Sequence, residues 1–363
     1  MRTFNTPGDV YNAVPPRVVF GAGAAERIDE EVDRLGGRRA LVVSTPGRGG
    51  MAQRVADRLG DRCIGLLPEA ISQVPIELAR RGQARAKEMG ADCLVSVGGG
   101  ASIGLGKAIA LELGLPIVAM PTTYSGSEMT GFCGITIDGV KRMHKSLRML
   151  ASTVVYDPAL SVSLPVDVSA ASAMNALAHC IDVVYVPTAS PVIVQAAVEG
   201  ARVIVDALPR VADRPEDLEA RGDLLYGAYL AGAALTGGFA LQHGVAHVLG
   251  GTYGVPHGLS HALVLPHVAS YNARFAPDAL GRVAAAMGVG DVGGAIFDTM
   301  TRVGLPTRLT EVGFSKDAIE EAARITVETD NGSNPGPVTA EAVRGILEAA
   351  LDGRRPSGDR TPS

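Results

Sequence analysis

The sequence predicts an α/β N-terminal domain built on a mostly parallel sheet, followed by an all-α C-terminal domain. Three observations carry this. Short apolar runs recur through the first half, each followed by an amphipathic helical stretch, which is the rhythm of parallel strands covered by helices. The second half changes to long Ala-rich stretches with helical periodicity. The chain has 363 residues, 47% hydrophobic and 20% charged, with 45 glycines. That is enough for two moderate domains of an α/β enzyme and unlike a disordered or fibrous chain.

Taken in order, Arg17 to Phe20, Ala40 to Val43, Cys63 to Leu67, Cys93 to Val97 and Ile117 to Met120 read as buried strands. Between them, Ala24 to Leu35, Met51 to Leu59 and Ile76 to Met89 read as helices. From about Asp157 the helical periods take over, including Val168 to Val184, Pro191 to Leu208, Asp217 to Ala234 and Pro277 to Met287. The expected division is 1–158, a dinucleotide-binding domain; 159–355, a helical substrate and catalytic domain; and 356–363, a loose tail rich in Pro, Gly, Ser and Arg.

A net charge of -5 gives no reason to expect nucleic-acid binding. No apolar run approaches the roughly 20 residues of a membrane span, so no membrane partner is expected. Cys63, Cys93, Cys133 and Cys180 are scattered, with no CxxC pair and no secretory leader, which favours a reducing cytoplasm.

Two segments of the first half point to a nucleotide. In Leu94-Val95-Ser96-Val97-Gly98-Gly99-Gly100-Ala101-Ser102 a strand runs into three glycines and then a helix, so backbone N–H groups and the positive helix end can approach a pyrophosphate. The turn is not GxGxxG, and tight strand-to-helix turns also need glycine for steric reasons alone. After the next strand, Thr122, Thr123, Tyr124 and Ser125 place hydroxyls at a strand's carboxyl end, where open α/β sheets bind ligands. The pair of segments favours a dinucleotide cofactor site over an ordinary polar loop.

The second half carries the histidines. His243 and His247 are four residues apart, as are His257 and His261, so each pair projects from one helix face. His267 follows, and His179 lies upstream in Asn175-Ala176-Leu177-Ala178-His179. Such clusters hold metals when a carboxylate joins the imidazoles, and here the expected place carries the amide of Asn175.

Gly98-Gly99-Gly100-Ala101-Ser102, Pro121-Thr122-Thr123, Asn175-x-x-x-His179 and His243-Gly-Val-Ala-His247-x9-His257-Gly resemble the iron-containing alcohol dehydrogenase superfamily, in the family's order over nearly the whole chain. Within it the chain is most similar to the maleylacetate reductase branch, through Gly104 to Leu111, Pro121 to Thr130, Asn175 to His179 and His247 to Gly251. The resemblance implies a dehydroquinate synthase-like first domain, a homodimer, and NAD(P)H-dependent reduction of maleylacetate, a small dicarboxylate, to 3-oxoadipate in aromatic-compound breakdown. Metal-dependent members use an Asp and three His at positions matching Asn175, His179, His243 and His257. Asn cannot supply the anionic ligand, so no metal is expected. A further Asp of those members is absent at Gly104 or Leu105. Val42-Val43-Ser44-Thr45 also lacks an acid to grip an adenosine ribose, so both NADH and NADPH are expected to serve, with Thr45 beside the ribose. The wording His243-Gly244-Val245-Ala246-His247 is closer to the alcohol dehydrogenases, which keeps a metal-dependent alcohol dehydrogenase or aldehyde reductase as the alternative. A nucleotide-binding lyase-type relative is a third.

Metal-free chemistry is accessible because the double bond of maleylacetate is conjugated to a ketone. Hydride added β to the ketone leaves an enolate oxygen that hydrogen-bond donors can stabilise, and an acid then protonates the α carbon. The expected donors are His243 and His257, with His247 or His179 as acid, Asn175 as a neutral donor and Tyr124 as a further donor or a nicotinamide contact. A lone His on an Ala-rich helix is more often core, and His261 and His267 are read so. Lys141, Arg142, His144, Lys145 and Arg148 form a run that is usually a solvated face, with Lys145 the candidate for a cofactor phosphate or substrate carboxylate.

Overall fold

The computed structural model describes residues 14–357, so most of the expected tail, from residue 358 on, lies outside the described residues. The five expected strands form within a residue of their apolar runs: β1 (Arg17–Phe20), β2 (Ala40–Ser44), β3 (Cys63–Leu67), β4 (Cys93–Gly98) and β5 (Ile117–Pro121). A further strand, β8 (Thr153–Tyr156), completes a six-stranded sheet in the order β1-β8-β5-β4-β2-β3, with every neighbouring pair parallel. β2, β4, β5 and β8 are buried at every residue. A strand buried on both faces has no polar side to show, so its sequence is a continuous apolar run.

Helices α1 (Ile28–Arg34), α2 (Gly49–Leu59), α3 (Ile76–Glu88) and α4 (Gly100–Leu113) connect the strands. α4 lies against β4 so closely that a Cβ at Gly106 would collide with Ser96 Oγ. From β2 the chain steps outward to β3, and β4 then returns to the other side of β2 and leads toward β5. The reversal between β2 and β4 is a topological switch point, where open α/β sheets bind ligands at the carboxyl ends of the strands.

An antiparallel hairpin, β6 (Phe132–Ile137) and β7 (Val140–Lys145), departs from the parallel pattern. Its two-residue turn is Asp138-Gly139, with φ of 51° and 75°. Both values are positive, as a primed hairpin turn requires. The basic run is thus mainly an exposed strand.

The chain divides into two compact units, with the described residues up to Leu164 in one and those from Pro165 in the other. The second unit is helical: α5 (Val166–Val183), α6 (Pro191–Asp213), α7 (Leu218–Leu235), α8 (Leu241–Thr252), α9 (His257–Ala273), α10 (Pro277–Met287), α11 (Val292–Arg302), α12 (Ile319–Glu328) and α13 (Ala340–Asp352). α5 is buried continuously from Ala173 to Val183 and packs against α6, α7, α8 and α9. Its alanines permit that close approach. So does Gly258, where a Cβ would lie 2.8 Å from the carbonyl oxygen of Ala171. Among the described residues no single helix is long and apolar enough to cross a membrane.

Candidate active site

In the first unit the glycine turn joins β4 to α4. Gly99 is the N-cap of α4 and no side chain caps it, so the first N–H groups of the helix have no side-chain acceptor there. A Cβ at Gly99 would lie 2.7 Å from Thr123 Cγ2, whereas at Gly100 it would meet nothing within 4 Å. Gly99 is glycine for packing, and Gly100 fronts open space. Gly98 has φ 140°, and its carbonyl accepts from Thr122 N at 3.1 Å, which ties the two loops together. Ser102 Oγ and Thr122 Oγ1 are buried without a partner. An open helix N-terminus with two orphaned hydroxyls fits the phosphates of a dinucleotide. Ser125 lies in the same loop, with its Oγ 3.3 Å from Ser127 Oγ. Thr45 is half-buried directly after β2, at its carboxyl end.

Lys107, buried on α4, holds this region from behind. Its Nζ donates to the Ser127 carbonyl, to Thr130 Oγ1 at 3.1 Å and to the Phe132 carbonyl at 2.9 Å. Burial pushes its pKa down to about 8. Beside it, burial raises the pKa of Glu128, whose Oε1 accepts from the Tyr156 hydroxyl at 2.6 Å.

Tyr124 is fully buried and its hydroxyl donates to Ser161 Oγ at 3.2 Å. Lys145 lies on exposed β7 with its ammonium 5.3 Å from the centre of the Phe132 ring.

In the second unit, α5, α8 and α9 bring five histidines together. His243 lies 5.0 Å from His179, 4.9 Å from His261 and 5.8 Å from His247, between ring centres. His257 is 4.8 Å from His261 and 6.4 Å from His247. His179 and His243 are buried, His247 is half-buried and His257 is exposed at the start of α9. Phe239 adds an aromatic wall 5.1 Å from His243. His261, read from sequence as core, instead sits amid the cluster. It is fully buried, neither ring nitrogen has a partner, and burial followed by the neighbouring imidazoles holds its pKa well below the usual value. His267 lies farther along α9, with its pKa lowered to about 4, mainly by burial.

The geometry also brings in a residue that sequence reading missed. Asp182 follows His179 by one turn of α5 and is fully buried. Its Oδ2 lies 2.7 Å from His243 Nδ1, while His243 Nε2 lies 2.8 Å from His179 Nδ1. Asn175, one turn before His179, is buried with Oδ1 unpartnered. As a metal site the donors fit poorly. A neutral amide stands where an anionic ligand is wanted, and the facing nitrogens of two imidazoles are spent on each other. Among the described residues no group of three His, Cys, Asp or Glu is placed to hold a metal.

Comparison with known proteins follows the same division. Residues 15–158 match the family described as iron-containing alcohol dehydrogenase, and residues 169–351 match the Fe-containing alcohol dehydrogenase family, C-terminal. The chain is 46% identical to a maleylacetate reductase of Burkholderia cepacia, over 96% of this chain and 99% of that one. It resembles the crystal structure of maleylacetate reductase from Agrobacterium tumefaciens with TM-score 0.92 and 40% identity, covering 96% of this chain and 99% of that one. A putative alcohol dehydrogenase from Ralstonia eutropha JMP134 superposes with TM-score 0.94 and 46% identity, over 96% and 99%.

Proposed function

The chain belongs to the iron-containing alcohol dehydrogenase family and is an oxidoreductase, and we propose that it reduces the carbon–carbon double bond of maleylacetate to give 3-oxoadipate, using NADH or NADPH and no metal. Near full-length similarity to maleylacetate reductases supports the substrate. The observation that carries the metal-free chemistry is Asn175 beside the hydrogen-bonded pair of His179 and His243. This set is rich in hydrogen-bonding groups and lacks the carboxylate that would anchor a hard cation. A homodimer serving aromatic-compound breakdown completes the reading.

Gly98, Gly99, Gly100, Ser102, Thr122 and Thr123 hold the cofactor phosphates, and the nicotinamide, when bound, supplies the hydride. The rest is the work of the second unit's side chains. Hydride arriving at the carbon β to the ketone moves the π electrons onto the ketone oxygen. Asn175 and the histidines offer hydrogen bonds to that developing charge. The His179–His243 pair delivers a proton to the α carbon and regains it from solvent, leaving one saturated bond and an oxidised cofactor. His247 and His257 border the same space.

NADH oxidation with freshly generated maleylacetate, run with and without chelator beside metal analysis of the protein, tests this reading. Turnover is expected to survive chelation, with metal well below one per chain. Loss of turnover restored by iron or zinc would overturn the metal-free chemistry. Turnover of simple alcohols in place of maleylacetate would favour an alcohol dehydrogenase, the reading favoured by the His243-Gly244-Val245-Ala246-His247 wording.

A further inference from the structure

Asp182 does two things at once. α8 begins at Leu241, and its N-cap, Ala240, has no side chain able to satisfy the orphan N–H groups of the first turn. The carboxylate of Asp182 reaches across from α5 and does so instead. Oδ2 accepts from Ala240 N at 2.7 Å and His243 N at 3.3 Å, and Oδ1 accepts from Gln242 N at 3.3 Å and from the Tyr185 hydroxyl at 2.8 Å. Oδ2 also meets His243 Nδ1. Backbone N–H groups only donate, so both oxygens are committed as acceptors. The hydrogen between Asp182 and His243 therefore sits on Nδ1.

The consequence runs outward. A neutral imidazole carries one N–H, so His243 Nε2 keeps a lone pair, and the nitrogen facing it, His179 Nδ1, must donate. The two ring planes differ by only 19°, which is compatible with an in-plane N–H···N bond.

We propose that Asp182 is a positioning residue that fixes the tautomer of His243, and through it that of His179. The consequence for turnover rests on the reductase reading, while the tautomers themselves can be measured without it.

The experiment records nitrogen-15 spectra of histidine-labelled protein, with His179→Gln and His243→Gln to assign the signals, beside kinetics of Asp182→Asn. Wild type is expected to show both histidines as Nδ1–H tautomers. Asp182→Asn offers His243 an amide donor in place of an acceptor. Its His243 signal is expected to switch to Nε2–H, with kcat falling on the order of 10³-fold and the NADH dissociation constant staying within about twofold. An Nε2–H tautomer of His243 in wild type overturns the proposal, whether or not the variant folds. So does a folded variant with kcat within about tenfold of wild type. Wild-type protein inactive on maleylacetate but holding both Nδ1–H tautomers would sink the substrate reading and leave the Asp182 assignment standing.

Discussion

The glycine turn of the first unit leaves its buried hydroxyls unpartnered, whereas the histidine cluster of the second holds a bonded line, Asp182–His243–His179, beside unpartnered atoms at Asn175 and His261. At the turn, Ser102 Oγ and Thr122 Oγ1 are buried without partners, and Gly100 fronts open space. In the cluster, Asp182 collects hydrogen bonds on both oxygens and aligns His243 and His179 through bonds of 2.7 and 2.8 Å. An unpartnered buried hydroxyl costs about 1–3 kcal/mol. A fold keeps such groups at a helix N-terminus where a ligand's acceptors offset that cost. The Asp182–His243–His179 line is organised in advance, which suits groups that meet charge only in the transition state. Changes at the turn should therefore act on cofactor affinity, and changes in the cluster on kcat.

The largest effect expected from this contrast is at His243. His243→Ala should lower kcat on the order of 10³-fold or more while leaving NADH affinity, read by fluorescence, nearly intact. A near-normal kcat would break the comparison and move the search to His247 or His257.

A second contrast is acid stability, because burial in the helical unit keeps His267 neutral down to about 4. The unfolded chain takes up this proton as pH falls through about 6.5, and the fold resists until about 4. Stability is thus fully present above 6.5 and declines across that window, by about 3 kcal/mol for this residue. His267→Leu should flatten the decline in melting temperature between pH 7 and 4. Superimposable pH profiles would assign the acid loss elsewhere.

At the turn, Gly100→Ala should raise the NADH dissociation constant about tenfold, roughly 1.4 kcal/mol, at an unchanged melting temperature. Gly99→Val should lower the melting temperature as well, because its Cβ would strike Thr123. Equal melting losses for the two would show that both glycines serve packing alone. The smallest effect is at Thr45. NADH and NADPH should differ by less than about a hundredfold in kcat/KM, and Thr45→Asp should shift the ratio toward NADH by up to about tenfold. An unmoved ratio would place the ribose away from β2.

Much of the fold was legible because its signals are local. β2, β4 and β5 are buried on both faces and so read as unbroken apolar runs, and α10 starts at Pro277 with its C-cap at Gly288 in the left-handed region. β8 was not legible. Four residues with no flanking period qualify as a strand only because β1 and β5 lie on either side. The hairpin had a signal that went unused, Asp138-Gly139 between apolar Ile137 and Val140. For the site, pairs four apart on a helix placed His243 with His247 and His257 with His261. The contacts of Tyr124 with Ser161 and of Lys145 with Phe132 were not legible, because a hydroxyl or an ammonium looks alike in sequence whatever it faces.

By itself the sequence determined the element types, the glycine-opened helix N-terminus and the absence of a carboxylate at Asn175. Each follows from residue identity or from a period along one chain segment. Only the tertiary structure decided that His261 belongs to the cluster, that His179 and His243 bond to each other, and that Asp182, 61 residues from His243, both caps α8 and orients the imidazole. The reason is physical. A helix's period states which face a side chain shares, but a 2.7 Å hydrogen bond between two helices depends on their separation, rotation and axial register. Those are settled by how α5, α8 and α9 pack together, where an alanine or a glycine such as Gly258 sets how closely the backbones meet.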